Sequence, residues 1–198
     1  MSITLFIAEF AKNIIEKIGY LGVFILMTLE SALIPIPSEI VMPFSGFLVA
    51  EGKMDFLFAL LAGTLGNLTG SLIAYLLGYF IGIEPVKKVG KYLLIREEHL
   101  ENAEKLVEKY RIYASFIGRL LPAVRTIISL PLGMVKTELK PFLVLTFTGS
   151  LIWNIVLLYL GVILRENWII IEHYGFYLDI IAVLVVVLLL VYVFRSRK

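Results

Sequence analysis

Residues 30–39 read ESALIPIPSE, Glu30 to Glu39, inside an otherwise apolar run from Tyr20 to Ala50. Two carboxyls and two helix-breaking prolines, Pro35 and Pro37, stand where a simple membrane span would carry aliphatic side chains. A charge at bilayer depth costs several kcal/mol, ~2.5 to 3.5 on insertion scales, so it normally faces a protein-lined or watery cavity. Two prolines two positions apart also leave backbone carbonyls unpaired, which hydrocarbon cannot satisfy. The stretch therefore predicts a broken or re-entrant element wrapped by other helices, and it requires a partner elsewhere in the chain.

The whole sequence has 198 residues, 60% of them hydrophobic and 17% charged, with a mean hydropathy of +0.93. Ordinary soluble domains are roughly 45–50% apolar and about 25% charged, so the composition predicts an integral membrane protein with no separate soluble catalytic domain. Cysteine is absent, which excludes disulfides and thiolate metal sites. No metal, cofactor or nucleic-acid partner is expected. The N-terminal residues lack the basic start and small-residue cleavage pattern of a signal peptide, and Glu9, Lys12, Glu16 and Lys17 interrupt them. Phe6, Ile7, Phe10, Ile14 and Ile18 recur every three to four residues, which predicts an amphipathic helix over residues 1–18 lying at the interface. A short first span is the rival.

Neither apolar arm around the motif, Tyr20–Leu29 or Ile40–Ala50, has the ~20 helical residues a crossing needs. The two arms make either one kinked span or a hairpin, and Pro35, Pro37 and Pro43 favour the hairpin, over about 20–50. Phe56–Ile83 is uncharged and is the clearest span, with Gly63, Gly66, Gly70 and Gly78 as a stripe for close helix approach. Asn67 and Ser71, four apart, share a face from which they could satisfy a neighbour's broken backbone. The hydrophilic segment Glu84–Arg111 reads as a surface helix. Phe142–Ile163 is the second uncharged span, carrying Trp153 and Asn154 near its middle. A last span precedes the basic tail Arg195, Arg197 and Lys198, within 166–198.

Between those spans the opening problem recurs with opposite charge. Residues 112–135 are apolar but broken by Arg119, Pro122, Arg125 and Pro131. The basic tail, Lys136 with Lys140, and the Glu84–Arg111 segment all belong on the cytoplasmic side by the positive-inside tendency. They share one side only if 112–135 enters and returns on that side. The predicted fold is thus an all-α polytopic membrane protein: an inverted repeat of re-entrant helical hairpin plus transmembrane helix, with an additional C-terminal span.

Opposed broken helices meeting near the midplane are the usual build of a secondary transporter. Arg119 and Arg125 flank Pro122, so both could turn toward one cavity. Guanidinium groups offer rigid forks suited to phosphate or carboxylate, which points to an anionic lipid headgroup. Glu30 and Glu39 would neutralise the arginines when the site is empty, or exchange protons. Two rival classes use the same residues. A lipid-phosphate hydrolase would need a nucleophile or metal set, and the only histidines, His99 and His173, stand outside the hairpins. A non-transporting scaffold would use the four charges only to hold the hairpins together.

The chain resembles the DedA family, also called SNARE-associated or VTT-domain membrane proteins, from about Gly19 to Arg165. The matching pieces are Glu30, Pro35, Pro37 and Glu39; SGFLVAEG from Ser45 to Gly52; Gly66, Gly70, Tyr75 and Gly78; Phe116, Arg119, Pro122 and Arg125; and ISLPLG from Ile128 to Gly133, followed by Gly149, Trp153 and Asn154. The resemblance implies a multi-pass protein of the bacterial or archaeal inner membrane with two facing re-entrant hairpins; the basic tail sets the C-terminus on the cytoplasmic side. It implies transport of polyprenyl phosphate, with undecaprenyl phosphate as the expected lipid, coupled to protons; some members look specific for other anionic phospholipids, and eukaryotic relatives are scramblases. Carried over, Glu30 and Glu39 are the acidic gating and proton-coupling pair and Arg119 and Arg125 the phosphate-binding pair. Pro35, Pro37, Pro122, Pro131, Gly66, Asn67, Gly70, Ser71, Tyr75, Trp153 and Asn154 shape and support the hairpins. Ser71 stands where many members have aspartate, and Tyr79 where an arginine is frequent. A homodimer is left open.

Overall fold

The computed structural model describes residues 3–34, 36–81, 105, 107–121 and 124–164. Pro35, Pro122, most of the Glu84–Arg111 segment, His99, His173 and the whole C-terminal span with its basic tail lie outside the described residues. The described part is helical throughout, with no strand among the described residues.

The helices are α1 (Ile3–Ile18), α2 (Tyr20–Ser31), α3 (Ser38–Ala50), α4 (Phe56–Ile81), α5 (Ala114–Arg119, preceded by a 3-10 turn), α6 (Ser129–Met134) and α7 (Leu139–Leu164). At 1.5 Å per residue the 26-residue α4 and α7 are each about 39 Å long, enough to cross a hydrocarbon core of ~30 Å. The 12-residue α2 and 13-residue α3 reach only about 18–20 Å. Among the described residues, two helices are long and apolar enough to cross a membrane, and shorter apolar ones accompany them.

The breaks have local causes. At the end of α2, Leu33 takes a left-handed φ of 73°, and the Ile34 N–H returns to the Leu29 carbonyl at 3.0 Å, which closes the helix in the manner of a Schellman motif. Pro37 then caps α3 in extended conformation. Pro43 does not mark the break: it lies inside α3, which runs through it. Pro131 is likewise the third residue of α6, in the first turn, where a missing N–H leaves no intrahelical bond unmade. It starts that helix rather than interrupting one.

Glycines set how closely the helices approach. A Cβ on Gly66 or Gly70 would lie 2.5 or 2.1 Å from the Phe24 or Thr28 carbonyl oxygen of α2. Gly78 and Gly133 bring α4 and α6 together in the same way, and Gly46 and Gly161 do so for α3 and α7. The result is a crossed arrangement. The first helix of each broken pair packs on its own long helix, α2 on α4 and α5 on α7, while the second packs on the other unit's, α3 on α7 and α6 on α4.

Helix α1 turns Ala11 and Ile15 inward, both fully buried, and leaves Phe10 and Ile18 about half exposed. Its protein-facing side is thus rotated about one residue from the stripe that periodicity marks out. Apolar packing forms two clusters. One gathers Val23, Met27, Phe44, Leu60 and Leu158; the other gathers Ala74, Tyr75, Ile128, Leu132 and Phe142. Along α4, Thr64, Asn67 and Ser71 fall between the clusters. Along α7, Thr146, Ser150 and Asn154 occupy the corresponding stretch, and all six are buried. A polar layer therefore crosses the protein near the middle of both long helices.

Candidate functional site

All four charged residues singled out in the sequence lie in this layer, where Glu30, Arg119 and Arg125 are 3–5% exposed. Glu30 is delivered by the last turn of α2 and Glu39 by the first turn of α3. Arg119 ends α5, and Arg125 lies in the turn residues between α5 and α6.

Arg125 ties the two broken pairs together. Its Nη2 lies 2.5 Å from Glu39 Oε1 and 2.8 Å from Glu30 Oε1; the Glu30 contact is an ion pair outside hydrogen-bonding geometry. The same nitrogen donates to the Ser38 hydroxyl, and the guanidinium carbon lies 4.9 Å from the centre of the Trp153 ring on α7, within cation–π range. One side chain thus engages α2, α3 and α7.

Arg119 is treated differently. Among the described residues no carboxylate lies within ion-pair distance of it, and its Nη atoms donate to three hydroxyls: Ser71 on α4, Ser129 on α6 at 2.7 Å and, more weakly, Ser31 on α2 at 3.4 Å. Its aliphatic stem rests on Gly149 of α7, where a Cβ would come within 2.8 Å of the Arg119 Cβ. The sequence suggested that the two arginines share one environment and that the acidic pair neutralises both. The structure instead gives both carboxylates to Arg125 and leaves Arg119 among hydroxyls.

The supporting residues form a relay across the long helices. Asn67 Nδ2 donates to Glu30 Oε2 at 2.9 Å and to the Ser31 hydroxyl at 2.8 Å, while its Oδ1 accepts from Asn154 Nδ2 at 2.9 Å. Asn154 also reaches the Thr64 hydroxyl at 3.3 Å. Asn67 reaches the α2 backbone only at the long distance of 3.5 Å to the Met27 carbonyl, so it serves chiefly a carboxylate rather than a broken backbone. Ser71 donates to its own helix, to the Asn67 carbonyl, and accepts from Arg119. Tyr75 donates its hydroxyl to the Thr137 carbonyl beyond α6 and stacks on Phe142 with ring centres 4.6 Å apart. It is a packing residue outside the charged cluster. Gly66 and Gly70 act through the close approach described above.

Sequence reasoning missed Ser31, Ser38, Ser129 and Ser150. Three of them lie inside the quoted motifs, but hydroxyls that hold an arginine leave no periodicity or charge signature. The Ser115 and Thr146 hydroxyls, 2.7 Å apart, pin α5 against α7 one turn before Arg119. Among the described residues, no group of three or more His, Cys, Asp or Glu is placed to hold a metal ion.

Comparison with known proteins places this arrangement in a family. The VTT-domain family model matches residues 36–163. A protein of Lactococcus lactis subsp. lactis (strain IL1403) named alkaline phosphatase-like protein is 36% identical over 165 residues, covering 81% of this chain and 77% of that relative. Undecaprenyl phosphate transporter A of Bacillus subtilis (strain 168) is 35% identical over 185 residues, covering 93% of this chain and 91% of the transporter. The protein of the same name in Staphylococcus aureus (strain NCTC 8325 / PS 47) is 29% identical over 164 residues, 81% of each chain. No solved structure matches. With two long apolar helices, shorter broken ones and a family match over most of its length, the chain belongs to the VTT-domain, or DedA, family of polytopic membrane proteins.

Proposed function

We propose that this protein moves an anionic lipid, undecaprenyl phosphate or a closely related polyprenyl phosphate, across the cytoplasmic membrane. Arg119 and Arg125 bind its phosphate, and Glu30 and Glu39 gate the site. The observation that carries this reading is the cluster of two buried guanidinium groups, the buried Glu30 carboxylate and the partly buried Glu39 carboxylate at the level where both helix breaks meet. Formal charges there cancel, so the empty site is affordable in lipid, and an entering phosphate competes with the glutamates for Arg125. Release of a carboxylate from Arg125 leaves it to take up a proton, which couples lipid movement to the proton gradient. The similarity to the undecaprenyl phosphate transporters of B. subtilis and S. aureus supports the substrate.

The two broken pairs are read as re-entrant hairpins in an inverted repeat. Support comes from the crossed packing of α2, α3, α5 and α6 on α4 and α7, and from matching helix ends. α3 closes through Gly52 (φ 71°) with the Lys53 N–H on the Leu48 carbonyl, and α6 closes through Lys136 (φ 52°) with the Thr137 N–H on the Leu132 carbonyl. In this topology the C-terminal span follows α7 and ends in the cytoplasm. A hydrolase reading, suggested by the name of the Lactococcus relative, lacks a histidine among the described residues.

The test is transbilayer movement of a labelled polyprenyl phosphate in vesicles holding the purified protein, with and without an imposed pH gradient and with a folded Arg125→Ala variant as control. Movement that needs both Arg125 and the gradient is expected. Movement independent of the gradient makes the protein a scramblase. Absence of movement of both this lipid and phospholipids, with folded protein, makes it a scaffold.

A further inference from the structure

Three buried donors near the charged cluster have no acceptor among the described residues: Nε of Arg119, the Ser150 hydroxyl and the indole Nε1 of Trp153. All three side chains belong to residues no more than 3% exposed. A buried donor left without an acceptor costs about 1–3 kcal/mol, so three at one level call for something that accepts from them.

Helix spacing sets the residues that carry them at about one level. Ser115 pairs with Thr146, and one turn further along both helices the Arg119 stem lies on Gly149. Ser150, one turn after Thr146 on the same side of α7, is therefore level with Arg119. Trp153 follows Ser150 by three residues and has the Arg125 guanidinium on its ring. The α7 face carrying positions 149, 150 and 153 thus borders both arginines. The Nη atoms of Arg119 are already engaged by the hydroxyls of Ser31, Ser71 and Ser129.

We propose that the α5–α7 seam is the phosphate seat, in which Arg119 Nε, Ser150 Oγ and Trp153 Nε1 donate to the headgroup oxygens, and that Ser150 and Trp153 are its specificity-determining residues. The proposal rests on the transport reading above and deepens it. Its ligand class is a phosphate monoester: the terminal oxygens outnumber those of a diester and can accept from all three donors. Asn154 Oδ1, a buried acceptor also without a partner, suits the single P–OH of a monoanionic monoester. Among the described residues Arg119 has no carboxylate within ion-pair distance, so an arriving anion displaces no resident one there. At Arg125 it must compete with Glu30 and Glu39.

The test uses the whole protein in detergent, titrated with farnesyl phosphate, phosphatidate and inorganic phosphate, with farnesol as the headgroup-free control, for wild type, Ser150→Ala and Trp153→Phe. Binding and the melting temperature of the ligand-free protein are both read. Wild type is expected to bind at least one lipid monoester, and each variant to bind it about tenfold more weakly; ligand-free melting is unchanged or raised in Ser150→Ala, which removes an unpaired buried donor, and lowered in Trp153→Phe, which also trims a fully buried ring and its stack on Arg125. A structural role alone would move melting and leave affinity intact. Unchanged affinity in both variants overturns the seat, as does an equal loss for farnesol. Binding of inorganic phosphate alone also overturns a lipid headgroup seat. If wild type binds no monoester at all, the transport reading falls with it, whereas binding that ignores Ser150 and Trp153 leaves transport standing.

Discussion

Replacing Asn67 with alanine tests whether the charged cluster is held by the long helices or merely enclosed by them. Besides its long contact to the Met27 carbonyl, the amide serves three close partners: it donates to Glu30 Oε2 and the Ser31 hydroxyl and accepts from Asn154. After truncation Glu30 Oε2 keeps only the Ser31 hydroxyl at 3.5 Å and Asn154 keeps only Thr64 at 3.3 Å. Two buried groups are then poorly satisfied, one of them charged, at roughly 1–3 kcal/mol each. The expected loss is about 2–6 kcal/mol. At about 2–4 °C per kcal/mol for a chain of this size, that lowers the melting temperature in detergent by roughly 4–24 °C. Pairing the change with Asn154→Ala in a double-mutant cycle should give a coupling of about 0.5–3 kcal/mol, since the two amides share a bond. A melting point within about 2 °C of wild type, or additivity within ~0.3 kcal/mol, would refute the relay and leave Glu30 satisfied by something other than Asn67.

Other substitutions separate the parts of the site. Gly133→Ala places a Cβ 2.0 Å from the Tyr75 carbonyl oxygen, against rigid backbone, and should cost about 1–3 kcal/mol or more by overpacking. Gly52→Ala, with open space around it and a φ of 71°, should cost only the left-handed penalty of about 1–2 kcal/mol, and thermal melts of the two variants check the ranking. Arg125→Lys keeps the charge but loses the planar fork on Glu39, Ser38 and the Trp153 ring, so vesicle transport should fall at least tenfold while the protein still folds. Glu30→Gln should destabilise more than Glu39→Gln in the same melts, because the Glu30 side chain is 3% exposed against 15% for Glu39 and the new NH2 would have to face either the Asn67 Nδ2 donor or the Arg125 guanidinium. A larger loss from Glu39→Gln would contradict that ordering.

The sequence by itself determined the membrane class, the two long helices and the four charged residues. These were legible because lipid makes them anomalous: Glu30, Glu39, Arg119 and Arg125 are conspicuous only against apolar neighbours, and unbroken apolar runs have one stable answer in a bilayer. It also marked the glycines of α4, since close helix approach demands small residues at helical spacing. Only the tertiary structure decided the partners. Arg125 takes both carboxylates and Arg119 none because four separate short helices, each seated by glycines on α4 or α7, fix which guanidinium faces which group. Helix propensity and charge pattern carry no information about that registry. The same holds for Pro43, whose breaking tendency was overridden by packing, for Pro131, which falls in the first turn of α6, and for the serines around Arg119. A lone hydroxyl in an apolar helix is commonplace, and it becomes a ligand to an arginine only when another helix delivers that arginine to it.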